Sequence, residues 1–468
     1  MERRWKVLVV VSVAVLMASL DLFIVNFAFP SIRREFSGTS AAEVSWVLNA
    51  YAIVYAALLV PAGRLADLAG RRRAFLVGML LFLVGSALCG AAPSVPALIG
   101  ARVIQAAGAA LLTPAALALL LVEFPPRERA LAIGIYAGVG AAAAAAGPPL
   151  GGVLVQGSWR LVFLVNVPVG LAALGFAMYM LRESRDPAVG RPDLLGAALL
   201  AVTIGLISLG LVQAPDWGWG SASTLSALGA AAVGVGVFWV RCLRHPSPVV
   251  DPSMLRVRSF AMATGAQVLF SAGFAAMLLG NVLFLTGVWR YPALTAGLSL
   301  WPGPLMAATF APLAGRLAGR FGQRNLAVLG IGLFALAGVW WRWRLGATPD
   351  YLAAFLPAQI VGGVGVGLTL PSLTSAAAAS LAAPRFATGS AVLNMARQIG
   401  FVLGVAILVA VLGTLRTADP IRAFDGGWLF MVIAAGLGVL AALAIGDVRR
   451  PAPVEPVRSE PAPAEAGP

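Results

Sequence analysis

The chain has 468 residues, of which 60% are hydrophobic and only 11% charged, with a mean hydropathy of +0.90. That balance excludes an ordinary soluble domain and points to a chain that crosses a membrane many times. The net charge of +14 does not indicate a nucleic-acid partner, because the basic residues fall in short gaps between apolar runs and form no single polar face.

A span needs about 20 apolar residues, and fourteen runs qualify. The first, 7–30, follows Glu2-Arg3-Arg4-Trp5-Lys6. It is too long for a signal-peptide core and lacks a clear cleavage site, so it reads as an uncleaved helix. Within it, Leu20-Asp21-Leu22-Phe23-Ile24-Val25-Asn26 places Asp21 roughly 20 Å from the basic end. Asp21 is the only acidic residue deep inside any run. Such a carboxylate is costly in a membrane and is suited to reversible protonation; an Asp facing an outer vestibule is the plainer alternative. The second run, 44–63, ends in the polar gap Gly63-Arg64-Leu65-Ala66-Asp67, then Gly70-Arg71-Arg72-Arg73. Gly63 and Gly70 permit close helix approach and a tight turn, and Asp67 can meet a helix N-terminus or an arginine.

After the third run, 74–92, the fourth, 97–122, carries Arg102 and Gln105 on one face. A buried arginine needs an acceptor, and Asp21 is the available intramembrane carboxylate; backbone carbonyls are the alternative. The fifth run, 131–156, contains Gly134 and Gly147-Pro148-Pro149-Leu150-Gly151-Gly152. Its small residues allow tight packing, and its prolines remove backbone donors and bend the helix. The later runs are 160–181, 194–214, 222–243, 260–288, 295–315, 326–343, 351–378, 387–414 and 427–446.

The polar gap recurs in degenerate form as Gly315-Arg316-Leu317-Ala318, Gly322 and Arg324, an offset of 252 residues. Residues 355–371 echo the fourth run at an offset of 257, with Gln359 where Arg102 stands. One unit used twice is how many secondary transporters are built. Matching the copies divides the chain into an N-terminal six-helix bundle (1–181), a linker with two extra transmembrane helices (182–255) and a C-terminal six-helix bundle (256–446). A Pro-, Ala- and Glu-rich tail (447–468) reads as disordered. With both termini cytoplasmic, most of the 33 basic residues lie on the cytoplasmic side. Nine tryptophans (Trp46, Trp159, Trp217, Trp219, Trp289, Trp340, Trp341, Trp343 and Trp428) then fall at outer span ends, as an interfacial belt would. Cys89 and Cys242 belong to separate runs and set up no disulfide framework.

These motifs resemble the major facilitator superfamily and, within it, the fourteen-helix drug:proton antiporters, over nearly all of residues 7–446. The gap at 63–73 is similar to the signature loop Gly-x-x-x-Asp-(Arg/Lys)-x-Gly-(Arg/Lys)-(Arg/Lys), with Leu68 replacing its first basic residue. Arg102 to Gln105 resembles the Arg-x-x-Gln-Gly motif, with Ala106 replacing the first Gly. The fifth run resembles the antiporter motif, with Ala143 at its second Gly, and in the family that motif goes with export. Trp159–Gly170 matches the start of the family's sixth helix, and Asn394-Met395-Ala396-Arg397-Gln398 its thirteenth. Some relatives carry acidic residues near that last motif to bind cations, and none stands here.

The resemblance implies an all-α polytopic fold, two six-helix bundles plus two extra helices, in the cytoplasmic membrane of a bacterium. It implies a proton-driven antiporter exporting hydrophobic or amphipathic small molecules, with Asp21, Arg102 and Gln105 coupling the proton. Candidate cavity residues are Asn26, Asn49, Tyr51, Tyr55, Gln267, Phe270, Phe274, Trp301, Gln359, Asn394 and Arg397. No metal, cofactor or ATP site is expected, since no phosphate-binding Gly-x-x-x-x-Gly-Lys-(Ser/Thr) loop occurs. The expected partners are the bilayer, protons and the substrate, acting on a monomer with no nucleic acid. The alternatives are an exporter of a lipid or natural product, an uptake symporter, a non-transporting sensor and a membrane enzyme. The enzyme reading lacks material, because the sole histidine, His245, lies in a polar segment.

Overall fold

The computed structural model describes residues 2–125, 127–186, 190–381, 385–414 and 420–446. The expected disordered tail lies outside the described residues. The first six crossings are α1 (Arg3–Glu35), α2 (Ala41–Ala69), α3 (Arg71–Gly90), α4 (Val95–Glu123), α5 (Arg129–Gly157) and a divided sixth, α6 (Leu161–Leu164) with α7 (Asn166–Met180). A hairpin of α8 (Leu194–Trp217) and α9 (Ala222–Arg244) follows, then the short α10 (Pro252–Leu255). The remainder comprises α11 (Arg258–Gly287), α12 (Ala293–Leu300), α13 (Pro302–Phe321) and α14 (Gln323–Arg344). A π-helical turn, Tyr351–Phe355, leads into α15 (Leu356–Ala379), and α16 (Phe386–Thr414) and α17 (Pro420–Leu443) complete the set.

Local chemistry sets the helix starts. Ser40 and Glu43 form a reciprocal capping box at α2, and Ser94, Asp193 and Ser221 cap α4, α8 and α9. Thirteen helices among the described residues are long and apolar enough to cross a membrane. The remaining expected run, 295–315, is divided at Trp301 into α12 and α13. Pro302 and Pro304 have no N–H to give the preceding turn, and Arg316 and Arg320 lower the apolarity of α13.

Apolar side chains face outward at helical spacing, as at Val77, Leu80, Val84 and Leu88 on α3 and at Ile433, Leu437 and Leu440 on α17. Lipid is the solvent such a surface fits. The tryptophan belt is only partly formed. Trp217, Trp219 and Trp343 are exposed, but Trp159, Trp289, Trp341 and Trp428 are buried. The buried rings pack on one another's neighbours: Phe284 meets both Trp289 and Trp428, and Phe355 meets Trp289 and Trp341. Helix ends that converge at one face turn their large rings inward to fill the space between them.

The two copies retain the same internal contact. A Cβ on Gly78 of α3 would lie 3.0 Å from Gly108 O of α4. At the repeat offsets, a Cβ on Gly365 of α15 would lie 2.6 Å from Gly330 O of α14. The halves meet along two seams, α2 with α16 and α5 with α12 and α13. Under the repeat these seams exchange, so the molecule has an approximate two-fold relation. Helix α8 of the hairpin lies against both α2 and α16 and covers one seam from the outside.

Candidate functional site

Asp21 of α1, Arg102 and Gln105 of α4 and Ser86 of α3 meet in one buried knot. Arg102 Nη1 donates to Asp21 Oδ2 at 2.6 Å and to Gln105 Oε1 at 2.6 Å. Gln105 Nε2 donates to Asp21 Oδ1 at 2.9 Å and to Ser86 Oγ at 2.9 Å. Arg102 Nε donates to Val47 O of α2 at 3.0 Å, so both acceptors foreseen for it, carboxylate and carbonyl, are used. The ring of Tyr51 lies 4.1 Å from the guanidinium carbon and that of Phe163 lies 5.6 Å away. The ion-paired side chains are 1% and 0% exposed. A buried pair of this kind survives only with its remaining hydrogen bonds filled, and here Gln105 and Val47 O fill them, Gln105 being held in turn by Ser86. Sequence gave no signal for Ser86, a small polar residue in an apolar run.

A small cavity adjoins the knot, lined by Asn26, Asn49 and Arg102 from the first half and by Ala275, Phe401 and Val405 from the second. It offers about 30 Å³ to the centre of a water molecule. Both side-chain polar atoms of Asn49 are buried without a partner, whereas Asn26 donates back to Leu22 O and Phe23 O on its own helix. Of the other cavity candidates, Tyr51 and Phe270 are fully buried and serve as packing behind the surface. Phe270 is held between Phe274 and Phe334. Buried Gln359 donates to Leu300 O, and buried Gln267 to Ser271 Oγ. Phe274 bridges the halves, with rings 6.5 Å from Phe23 and 5.9 Å from Phe401. Trp301 is exposed at the α12–α13 break. Asn394 and Arg397 stay half-buried on α16.

The antiporter-like motif is a crossing point between the halves. A Cβ on Gly147 would lie 2.6 Å from Phe23 Cβ, and one on Gly151 would lie 2.9 Å from a ring carbon of Phe27. A Cβ on Gly152 would lie 2.6 Å from Ala293 O and 3.0 Å from Leu294 Cα of α12. From the other side, Gly297 leaves room only for Pro148 O. Gly134 differs from its companions, having open space around it, and it lies toward the end that carries the Arg-rich loops. There Leu131, Ile133 and Ile135 of α5 and Leu313 and Phe321 of α13 are exposed. The seam is therefore shut at the far end, where α5 and α12 meet backbone to backbone.

At the basic end Asp67 pairs within its own loop, accepting from Arg71 Nε at 2.7 Å. The helix N-terminus is taken instead by Glu183, whose carboxylate accepts from the N–H groups of Arg72 at 3.0 Å and Arg73 at 3.3 Å. Gly70 has φ +120°, and a Cβ there would lie 2.6 Å from Glu183 Cδ. The Arg72 side chain donates to Met178 O at 2.8 Å. Gly63 packs on Pro114, where a Cβ would lie at 3.5 Å. Glu183 escaped the sequence reading because it lies 111 residues from its partner, in a segment that carried no motif.

The sequence profile of the Major Facilitator Superfamily matches residues 11–309 and 303–468. The chain belongs to the Major Facilitator Superfamily. Among similar proteins is the "Tetracenomycin C resistance and export protein" of Streptomyces glaucescens, 35% identical over 89% of this chain and 77% of that one. The "Multidrug resistance protein Stp" of Mycobacterium tuberculosis is 34% identical over 88% of this chain and 76% of its own length. A solved bacterial homologue of the human lysosomal transporter Spinster superposes with a TM-score of 0.68 at 18% identity, covering 95% of this chain and 98% of that one. That likeness shows a shared major facilitator fold, in which the Asp21–Arg102 knot sits within the first six-helix half.

Proposed function

We propose that the protein is a proton-coupled antiporter that exports hydrophobic or amphipathic small molecules across a bacterial cytoplasmic membrane. The observation that carries this reading is the Asp21–Arg102–Gln105 knot, a dehydrated ion pair whose carboxylate loses its charge when it takes a proton. Protonation weakens the hold of α1 on α4, and deprotonation restores it. Coupled to rocking of the halves about the Gly152–Ala293 crossing, that gives alternating access. The Arg-rich loops then face the cytoplasm with both termini, α12 and α13 count as one crossing, and the total is fourteen. The monomer would suffice, with no metal, nucleotide or nucleic acid involved and no enzymatic step. The relatives' names, which speak of resistance and export, support export over uptake and leave drug and natural-product substrates equally served.

The test uses proteoliposomes with an entrapped pH dye, adding lipophilic monocations, neutral antibiotics and organic acids in turn. Substrate-triggered proton movement is expected in the wild type and not in Asp21→Asn, with thermal unfolding of both confirming a folded variant. Equal proton flux in the two would remove Asp21 from the coupling.

A further inference from the structure

We propose that Arg397 binds an anionic group at the α2–α16 seam, so that the preferred substrates are amphipathic organic acids. This rests on the export reading above. The Asp21 and Arg102 charges cancel within their own knot. Among the described residues no carboxylate pairs with Arg397. Yet Arg397 stands eleven residues into α16, about 16 Å along the helix at the usual rise. Among the described residues it is thus a cation at membrane depth with no paired carboxylate, an arrangement that is costly unless a ligand completes it.

The first half faces that cation across the α2–α16 seam. Arg397 and Tyr55 of α2 interact electrostatically, as the α2–α16 seam requires. Tyr55 donates to Thr113 Oγ1 of α4 at 3.2 Å. A guanidinium fork is the donor that a carboxylate or sulfonate accepts from in bidentate fashion. One turn beyond Arg397 on the same helix face stands Phe401, in edge contact with Phe274, which reaches Phe23 across the seam. An acid group at Arg397 would thus leave its rings against an aromatic wall.

The experiment measures equilibrium binding to the full chain in nanodiscs, without any gradient, of two probes with one ring system and opposite charge: 9-anthracenecarboxylate and 9-anthracenemethylammonium. The wild type is expected to bind the carboxylate at least tenfold more tightly. Arg397→Gln should erase the preference, Arg397→Lys should restore part of it, and Arg397→Glu should invert it. Unfolding temperatures recorded for each variant separate a binding loss from misfolding. No charge preference, a preference for the ammonium, or no binding of either probe by the wild type would each overturn the proposal. Proton coupling plays no part in this readout, so a failure of the Asp21 experiment leaves the charge preference to stand or fall by itself.

Discussion

Gly152→Ala isolates the closure of the far end. The added methyl carbon would sit 2.6 Å from Ala293 O and 3.0 Å from Leu294 Cα. Both are backbone atoms, so no side-chain rotation relieves the overlap. A tolerable carbon–oxygen approach is about 3.3 Å, so α5 and α12 must part by about 0.7 Å at this level. Overpacking of this kind costs typically about 1–3 kcal/mol, and it applies only while the far end is shut. The ratio of far-end-closed to far-end-open molecules should therefore fall about 5- to 150-fold. Spin labels at exposed Gln156 and Thr295 would report this by pulsed distance measurement, and the native Cys89 and Cys242 are buried and interfere little. The longer-distance population should grow at the expense of the shorter one. An unchanged distribution, with thermal stability lowered by the full amount, would show that the crossing is rigid packing and no gate.

Two further outcomes follow from charges held in the structure. Replacing Asp21 or Arg102 singly by leucine should each cost about 3–5 kcal/mol by stranding its buried partner, while the double replacement costs less than the sum. Additive losses in thermal unfolding would mean the two do not act as a pair. At the start of α8, burial alone would raise the Asp193 carboxyl, but hydrogen bonds from Arg241 and Gly196 N–H, with His245 nearby, hold it below its ordinary value of 3.8. A depressed carboxyl stabilises the fold above its ordinary value and loses that effect as pH falls through the lower, folded value. The stability difference between wild type and Asp193→Asn should stay flat from neutral pH down to about the ordinary aspartate value and shrink only below it. A difference that vanished between pH 5 and 7 would assign the effect to another group.

Much of the fold was legible because membrane spans are written in long apolar runs and the repeat fixes their pairing. Asp21 and Arg102 were legible for the same reason, since charge stands out against an apolar background. Residues whose role depends on three-dimensional neighbours did not stand out. Ser86 looks like an ordinary member of its helix, and Glu183 acts 111 residues from its partner. The tryptophans were misread in part because distance along a helix gives depth, and direction requires the neighbours. The division at Trp301 was present in Pro302 and Pro304 but masked by the hydrophobicity of the run.

The two copies have diverged where chemistry differs and held where packing is shared. The glycine contact of α3 with α4 recurs between α14 and α15. The polar knot does not recur, since at the same offset Gln359 stands for Arg102 and Gly362 for Gln105. Gln359 ties to Leu300 O beside the α12–α13 break, and Gly362 packs toward Ala337, where a Cβ would lie at 3.2 Å. The second half therefore cannot hold a buried carboxylate at the equivalent level without stranding its charge. Its central cation, Arg397, sits instead on the seam helix α16, which faces the first half. Under the proposed coupling, a transporter that lets a proton and a substrate influence each other has reason to keep them apart: one charge sealed within a bundle, the other half-buried on the seam helix between bundles. The α2 helix connects them. It gives Val47 O to Arg102 and carries Tyr55 to Arg397 eight residues later. Under the same proposal, a shift of α2 on protonation of Asp21 would be felt at Arg397 directly.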